Sequence, residues 1–321
     1  MHFAEVSATL DVMKTLIIHH DDCLRHDPGP RHPERAERVA AVLAAVSGMP
    51  GTEMLPAPRA EPEQVRRAHH EAYWRQLGEL EPSGGPAGDR VALDPDTWLS
   101  AGSLDAALRG SGAACFAVDQ IFAGRADNAF CATRPPGHHA GAATAMGFCL
   151  LNHAAVAVRH AQAEHHARRV AIVDFDVHHG NGTQEIFEES PDVLYISSHQ
   201  MPLYPGTGYP EETGCGNILN LPLAPGAGGA EFRAAWGKLG LPALERFRPD
   251  LIVVSAGFDA HHRDPLGQLE LQDEDFAWIT RAIRTAAVDA CQGRLVSILE
   301  GGYDLEALAS AASVHVGALA A

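Results

Sequence analysis

Positive charge is scarce in this chain. Its 321 residues carry 24 Lys and Arg against 41 Asp and Glu, a formal net charge of −17. Such a surface disfavours nucleic acid as the direct ligand and serves solubility or a cationic substrate. Long apolar runs are also missing: none reaches the ~18 residues of a membrane span. The N-terminal MHFAEVSATLDVMKTLIIHH has no basic start, apolar centre or small-residue cleavage site, so neither a membrane partner nor a signal peptide is expected. Residues 1–12 read as a loose extension of one domain spanning 13–321. Cys23, Cys115, Cys131, Cys149, Cys215 and Cys291 form no C-x-x-C pair. That argues against a disulfide framework or a cysteine zinc cluster, and for reduced thiols in the cytoplasm. There is no fixed-period repeat and no linker-like block. The best loop candidate is EPSGGPAGD, residues 81–89.

What the chain has is a series of apolar, strand-like runs at 14–20, 128–139, 169–179, 192–200, 250–262 and 294–304. Helical patterns at 32–46, 103–124, 148–165, 229–247 and 273–291 alternate with them. Strands apolar throughout, interleaved with helices, predict an α/β fold: one three-layer αβα domain around a mostly parallel sheet. Four of the runs end in polar residues: RPPGHH, DFDVHHGNG, GFDAHH and EGGYD. Ligands of open parallel sheets bind beyond the carboxyl ends of the strands, so these four motifs converge on one edge.

In RVAIVDFDVHHGNG (169–182), alternate side chains of an extended strand share a face. Asp174, Asp176 and His178 therefore point one way. By itself, D-x-H is an ordinary solvated strand end. With Asp259 from a second strand, Asp176 and His178 form a three-ligand set with room for water, the open type of catalytic metal site. His138 and His139 follow Gly137 in RPPGHH and offer a base and an acid near neutral pH. Asp174, not needed as a ligand, can orient one of them. Tyr303, led out by Gly301 and Gly302, can donate to an oxyanion. His179 falls off the shared face and is not a ligand. The pairs His19–His20, His165–His166 and His261–His262 read as edge, surface or loop residues.

The motifs HPERAERV, RPPGHHAGAATAMGFCLLNHAAVA, VDFDVHHGNGTQEIF, YISSHQMPLYPGTG, SAGFDAHHRDPLG and LEGGYDLEAL resemble the zinc-dependent histone deacetylase superfamily. The likeness runs from about Lys14 to the C-terminal helix, and the RPPGHH and DVHHGNGTQ forms resemble its class II branch and bacterial amidohydrolase relatives. The resemblance implies the arginase–deacetylase fold, with Zn2+ (or Fe2+) on Asp176, His178 and Asp259. It implies His139 as general base and then acid, His138 with Asp174 as an electrostatic partner, and Tyr303 as the group polarising the scissile carbonyl. Asn181 stands where class I relatives carry an aspartate behind the second histidine.

The resemblance also implies a substrate tunnel walled by Gly147, Phe148 and Tyr204, and a product channel lined by Arg35. It implies structural K+ near Asp174, Asp176, His178, Ser197 and Ser198, a second K+ near Phe187, Ser190 and Val193, and a structural role for His69. The expected reaction is removal of an acyl group, acetyl first, from a small-molecule or peptide acylated amine such as acetyl-lysine. An acetylpolyamine amidohydrolase is the alternative; Leu266, seven positions after Asp259, stands where a polyamine-preferring branch has glutamate. A two-manganese ureohydrolase would need carboxylates at Gly180 and His261. A non-catalytic acyl-lysine-binding module is the rival from another class. The resemblance leaves homo-oligomerisation open.

Overall fold

The computed structural model describes residues 14–84 and 89–321. The extension expected at 1–12, and part of the 81–89 loop, lie outside the described residues. The chain opens with β1 (Thr15–His19), α1 (Glu37–Val46), β2 (Thr52–Pro56), α2 (Pro62–Arg66) and α3 (Glu71–Leu80). A hairpin of β3 (Arg90–Asp94) and β4 (Thr97–Ser100) leads to α4 (Ser103–Phe122), β5 (Asn128–Cys131) and α5 (His153–Glu164). Then come β6 (Val170–Asp174), α6 (Asn181–Phe187), β7 (Val193–Gln200) and β8 (Ile218–Leu223). The chain closes with α7 (Gly229–Ala235), α8 (Leu241–Phe247), β9 (Leu251–Ala256), α9 (Asp273–Cys291), β10 (Leu295–Leu299) and α10 (Leu305–Ala320).

Eight strands form one sheet in the order β2-β1-β5-β10-β9-β6-β7-β8, and every neighbouring pair is parallel. The period-2 alternation of each strand feeds two separate cores. Ile17, Phe130, Val173, Val254 and Leu295 face the cluster built with α1, α9 and α10. Ile18, Cys131, Ile172, Val253 and Val296 face the cluster built with α4 and α5. A parallel strand covered on both faces has no polar side, which is why these runs read as continuously apolar. Burying each such aliphatic side chain stabilises the fold by roughly 1.5–3 kcal/mol before entropy is counted.

The strands are shorter than their apolar runs. β5, β6, β9 and β10 stop at Cys131, Asp174, Ala256 and Leu299, so the four polar motifs lie on the loops just beyond. These four strands are consecutive in the sheet, β5-β10-β9-β6. Their carboxyl ends therefore deliver the motifs to one place. The helix expected from 148 begins only at His153, because Gly147 and Phe148 both hold positive φ (56° and 69°). Asn152 then caps it, its side chain accepting from the Ala155 amide at 2.9 Å. The helix expected at 229–247 is split by a π-helical turn at Trp236–Gly240, where the Trp236 indole donates to Ser198 Oγ.

Candidate active site

Beyond β6 the ladder has ended, yet the alternation persists. Phe175 and Val177 enter the apolar cluster, while Asp176 and His178 turn towards the loops of β9 and β10. Asp176 Oδ1 and Asp259 Oδ2 each lie 3.1 Å from His178 Nδ1. One ligand atom from each of the three falls within 4.8 Å of the others, and all three residues are buried. The remaining oxygens are tied down: Gly301 N donates to Asp176 Oδ2 at 2.8 Å, and Val177 N to Asp259 Oδ1 at 3.0 Å. A Cβ on Gly257 would sit 2.0 Å from Asp176 Oδ2, and one on Gly301 2.0 Å from Asp259 Oδ2. Only glycine at these two positions lets the carboxylates approach.

Two buried carboxylates converging on one imidazole nitrogen are costly without a cation between them. The donor set and its convergence fit a divalent metal with open coordination positions, and Asp/His/Asp suits zinc and ferrous iron alike.

The loop after β5 brings the histidine pair alongside. Gly137 N and His138 N donate to Glu300 Oε2 at 2.6 and 3.1 Å, and Ser255 Oγ donates to Glu300 Oε1 at 3.0 Å. His138 Nδ1 stands 3.1 Å from Asp174 Oδ2, which also accepts from the Tyr195 hydroxyl at 2.9 Å. Burial opposes charge on His138, but the Asp176 and Asp174 carboxylates outweigh it and push its pKa up to about 10. Its neighbour is driven the other way. Burial first, then the positive charge of His138, hold His139 well below the ordinary imidazole range. Asn181 Oδ1 lies 2.8 Å from His139 Nδ1, while its amide nitrogen faces Met146 Sδ at 3.2 Å. The carbonyl oxygen can only accept, so Nδ1 carries the proton and Nε2 keeps its lone pair. His139 thus presents an Nε2 lone pair to the cavity, while the two carboxylates favour the charged form of His138.

These groups open into a cavity of about 260 Å³ lined by His139, His178 and Tyr303 and walled by Gly147, Phe148, Tyr204 and Leu266, with Leu203 and Asp96 added. The Phe148 ring meets Tyr303 edge-on at 5.8 Å, and Tyr204 meets His139 at 5.2 Å. A Cβ on Gly147 would fall 2.4 Å from His139 Cδ2, so this wall closes against the base only with glycine there. Tyr303 N donates to Asp264 Oδ2 at 2.6 Å, and Leu266 N to Asp264 Oδ1 at 3.0 Å. One carboxylate therefore fixes both Tyr303 and the Leu266 wall.

One expectation is corrected. Arg35 is exposed, not lining an internal channel. The buried arginine of that segment is Arg38, one helical turn on, where it points inward from α1. Its guanidinium lies 4.7 Å from the Tyr303 ring centre and donates to Gly302 O at 2.6 Å and Glu34 Oε1 at 3.1 Å. Arg134 clasps the same Glu34 with two bonds of 2.7 and 2.6 Å. Asp96, Asp264, Glu300 and the Glu34 pairings were not anticipated. Asp264 and Glu300 stand inside the DPLG and LEGGYD motifs, but most of their partners are backbone amides, which carry no residue signal.

The residues expected around the first K+ are gathered, since β6–β7 pairing sets Ser197 beside Asp174. The carbonyls of Phe187, Ser190 and Val193, expected around a second K+, converge instead on Asn217 Nδ2, which lies within 3.0 Å of all three and donates into that set. His69 Nε2 accepts from Asn152 N at 2.8 Å, behind the α5 cap.

Residues 30–319 match the model of the histone deacetylase domain. The chain is 40% identical over 303 residues to a probable deacetylase of Archaeoglobus fulgidus, covering 92% of this chain and 82% of that one. It is 42% identical over 278 residues to a histone deacetylase-like amidohydrolase of Pseudomonas aeruginosa, covering 84% and 71%. The crystal structure of the HDA15 HD domain superposes with a TM-score of 0.89 at 34% identity, over 96% of this chain and 88% of that one. A parallel αβα sheet with an Asp/His/Asp group at its carboxyl edge defines a hydrolase of the arginase–deacetylase fold. The chain belongs to the histone deacetylase family.

Proposed function

We propose that this chain is a zinc amidohydrolase of linear amides that removes an acyl group, acetyl first, from an acylated amine such as acetyl-lysine. The single observation that carries the reading is the buried Asp176–His178–Asp259 group at the floor of a narrow cavity, beside a neutral His139 and Tyr303. A divalent metal held by those three residues would supply Lewis acidity to the amide carbonyl. His139 Nε2, with its lone pair free, takes the proton of the attacking water and passes it to the leaving amine. The positive charge on His138 and the Tyr303 hydroxyl favour the developing oxyanion. Phe148 and Tyr204 hold the alkyl chain, and Asp96 places a carboxylate by the cavity for a cationic or N–H-bearing substrate.

Leu266 puts an apolar side chain at the rim, which supports an acyl-lysine over an acylated polyamine. The six free cysteines, five of them buried, suit a reducing compartment such as the cytoplasm. A panel of acetyl-lysine peptides, acetylpolyamines and small amides, each with and without chelator, tests the reading. Chelator-sensitive cleavage of acetyl-lysine is expected. A preference for acetylpolyamines would overturn the substrate, and chelator-insensitive turnover the metal.

A further inference from the structure

The second histidine of the DVHHGNG motif is not used by the chemistry above. His179 is buried, 1% exposed, and turned away from the metal group. Its hydrogen bonds have a fixed direction, set by a carboxylate at one end. Gln184 Nε2 donates to Glu212 Oε2 at 2.7 Å, so Gln184 Oε1 must face His179 as an acceptor. His179 Nε2 therefore donates to Gln184 Oε1 at 3.0 Å, and its Nδ1 accepts from Thr207 Oγ1 at 2.8 Å.

Beside it, at 4.8 Å between ring centres, stands His199. Its Nε2 donates to the Gly208 carbonyl at 3.0 Å, and its Nδ1 accepts from Ser197 Oγ at 2.9 Å. Glu212 completes the hold by accepting from Gly208 N at 3.0 Å and Tyr209 N at 3.1 Å. Gly208 has φ +91°, and a Cβ there would fall 2.4 Å from His199 Nε2, so the loop presses backbone directly onto the two imidazoles. Thr207, Gly208 and Tyr209 follow closely on Tyr204, the exposed wall whose ring meets His139 and His178.

We infer that His179, with His199, is a positioning residue that anchors loop 203–209 and thereby sets how far the Tyr204 wall stands from the metal group, and so how tightly it grips the alkyl chain of the substrate. Consecutive residues divide the work: His178 faces the floor and His179 holds the wall. The grip on substrate rests on the deacylase reading above; the anchoring part does not.

The test uses full-length protein carrying Thr207→Val, which removes the donor to His179 at an exposed position, and Thr207→Ser, which keeps it. Amide hydrogen exchange at Gly208 and Tyr209 is expected to quicken about threefold or more in Thr207→Val and to stay at the wild-type rate in Thr207→Ser. With an acetyl-lysine reporter amide, KM should rise about threefold in Thr207→Val and stay at the wild-type value in Thr207→Ser, while kcat stays within about twofold in both. His179→Phe should exceed both the exchange and the KM effect. Unchanged exchange in Thr207→Val overturns the anchoring, and an unchanged KM overturns the grip on substrate. A wild type that does not cleave the reporter overturns the deacylase reading, and the exchange rates still decide the anchoring.

Discussion

Among the described residues, two groups of aspartate and histidine bring their ligand atoms within 4.8 Å: Asp176, His178 and Asp259 at the sheet edge, and Asp119, His160 and His165 between α4 and α5. They have similar ingredients and opposite logic. At the sheet edge, backbone amides hold the carboxylates from behind, leaving one oxygen of each directed at a single imidazole nitrogen. In the outer group, His160 and His165 both point Nε2 at Asp119 Oδ1, at 2.8 and 2.7 Å. There His160 Nδ1 faces Arg67 Nη1 at 3.3 Å. A guanidinium can only donate, so Nδ1 accepts and Nε2 carries the proton that goes to Asp119. That group is one partly exposed carboxylate shared by two imidazoles. Composition and proximity do not make a metal site; burial does, together with two carboxylates converging on one imidazole.

The sharpest break of that comparison is metal content. Asp259→Ala should lose the bound metal, read by elemental analysis, and drop amide hydrolysis to background. Asp119→Ala should keep both at wild-type level. Metal lost from the Asp119 variant would reverse the assignment. Within the inner group, His139→Ala should lower kcat by about 10²–10⁴-fold with metal retained. Tyr303→Phe, which keeps the ring against Arg38 and Phe148, should lower kcat by about 10²–10³-fold with little change in KM. An unimpaired Phe variant would remove the hydroxyl from the reaction.

Much of the inner group was legible in the sequence because its signals are local. A two-residue period places Asp174, Asp176 and His178 on one side even after the strand has ended, and a run of apolar β-branched residues announces each strand that feeds the edge. A second strand end, GFDAHH, supplied Asp259, and the resemblance added the roles of His139 and Asn181. Other features escaped for physical reasons. The edge strands β2 and β8, TEMLP and ILNLPL, are half-buried and broken by proline, so neither shows the continuous apolar run of the central strands. Arg35 lies just before α1 and Arg38 in its first turn, and which one points inward depends on where α1 begins, a boundary that pattern alone places loosely. Asp264 and Glu300 act mostly on backbone amides, which every residue owns. The His179 and His199 pair is visible as residues but not as a pair, since nothing in the chain says that Gly208 will lie between them and solvent.

Acid separates imidazoles held by carboxylates from those held by neutral groups. His315 is buried between Thr280 and Ser297 hydroxyls, and burial pulls its pKa down to about 3. Burial likewise pulls His69 and His153 down to about 4. These groups bind protons more readily in the unfolded chain, whose imidazoles titrate near 6.5. Their contribution is therefore complete above about pH 6.5 and shrinks as the pH falls towards the folded values. At pH 5 His315 alone should cost about 2 kcal/mol. Urea melts at pH 7.5 and 5.0 should show this fall, and His315→Asn should flatten part of it. A wild-type stability constant over that range would show these imidazoles taking up protons in the fold as readily as in the unfolded chain.

Asp119 should give the smallest effect, and its sign is opposite. Burial raises its pKa, but the hydrogen bonds from His160 and His165 outweigh that and leave it lowered. A depressed carboxylate contributes stability above its unfolded pKa and loses it as pH falls through the folded one. Asp119→Asn keeps an oxygen for the two Nε2–H donors and removes only the charge. Because Asp119 is 40% exposed, solvent screens that charge, and the loss at pH 7 should be at most about 1 kcal/mol in a urea melt. Metal content and turnover should not move. A larger loss would mean that the cluster fastens α4 to α5 more firmly than its exposure implies. A gain of bound metal in Arg67→Ala, with Asp119 left in place, would show that the guanidinium facing His160 Nδ1 had been keeping a metal out.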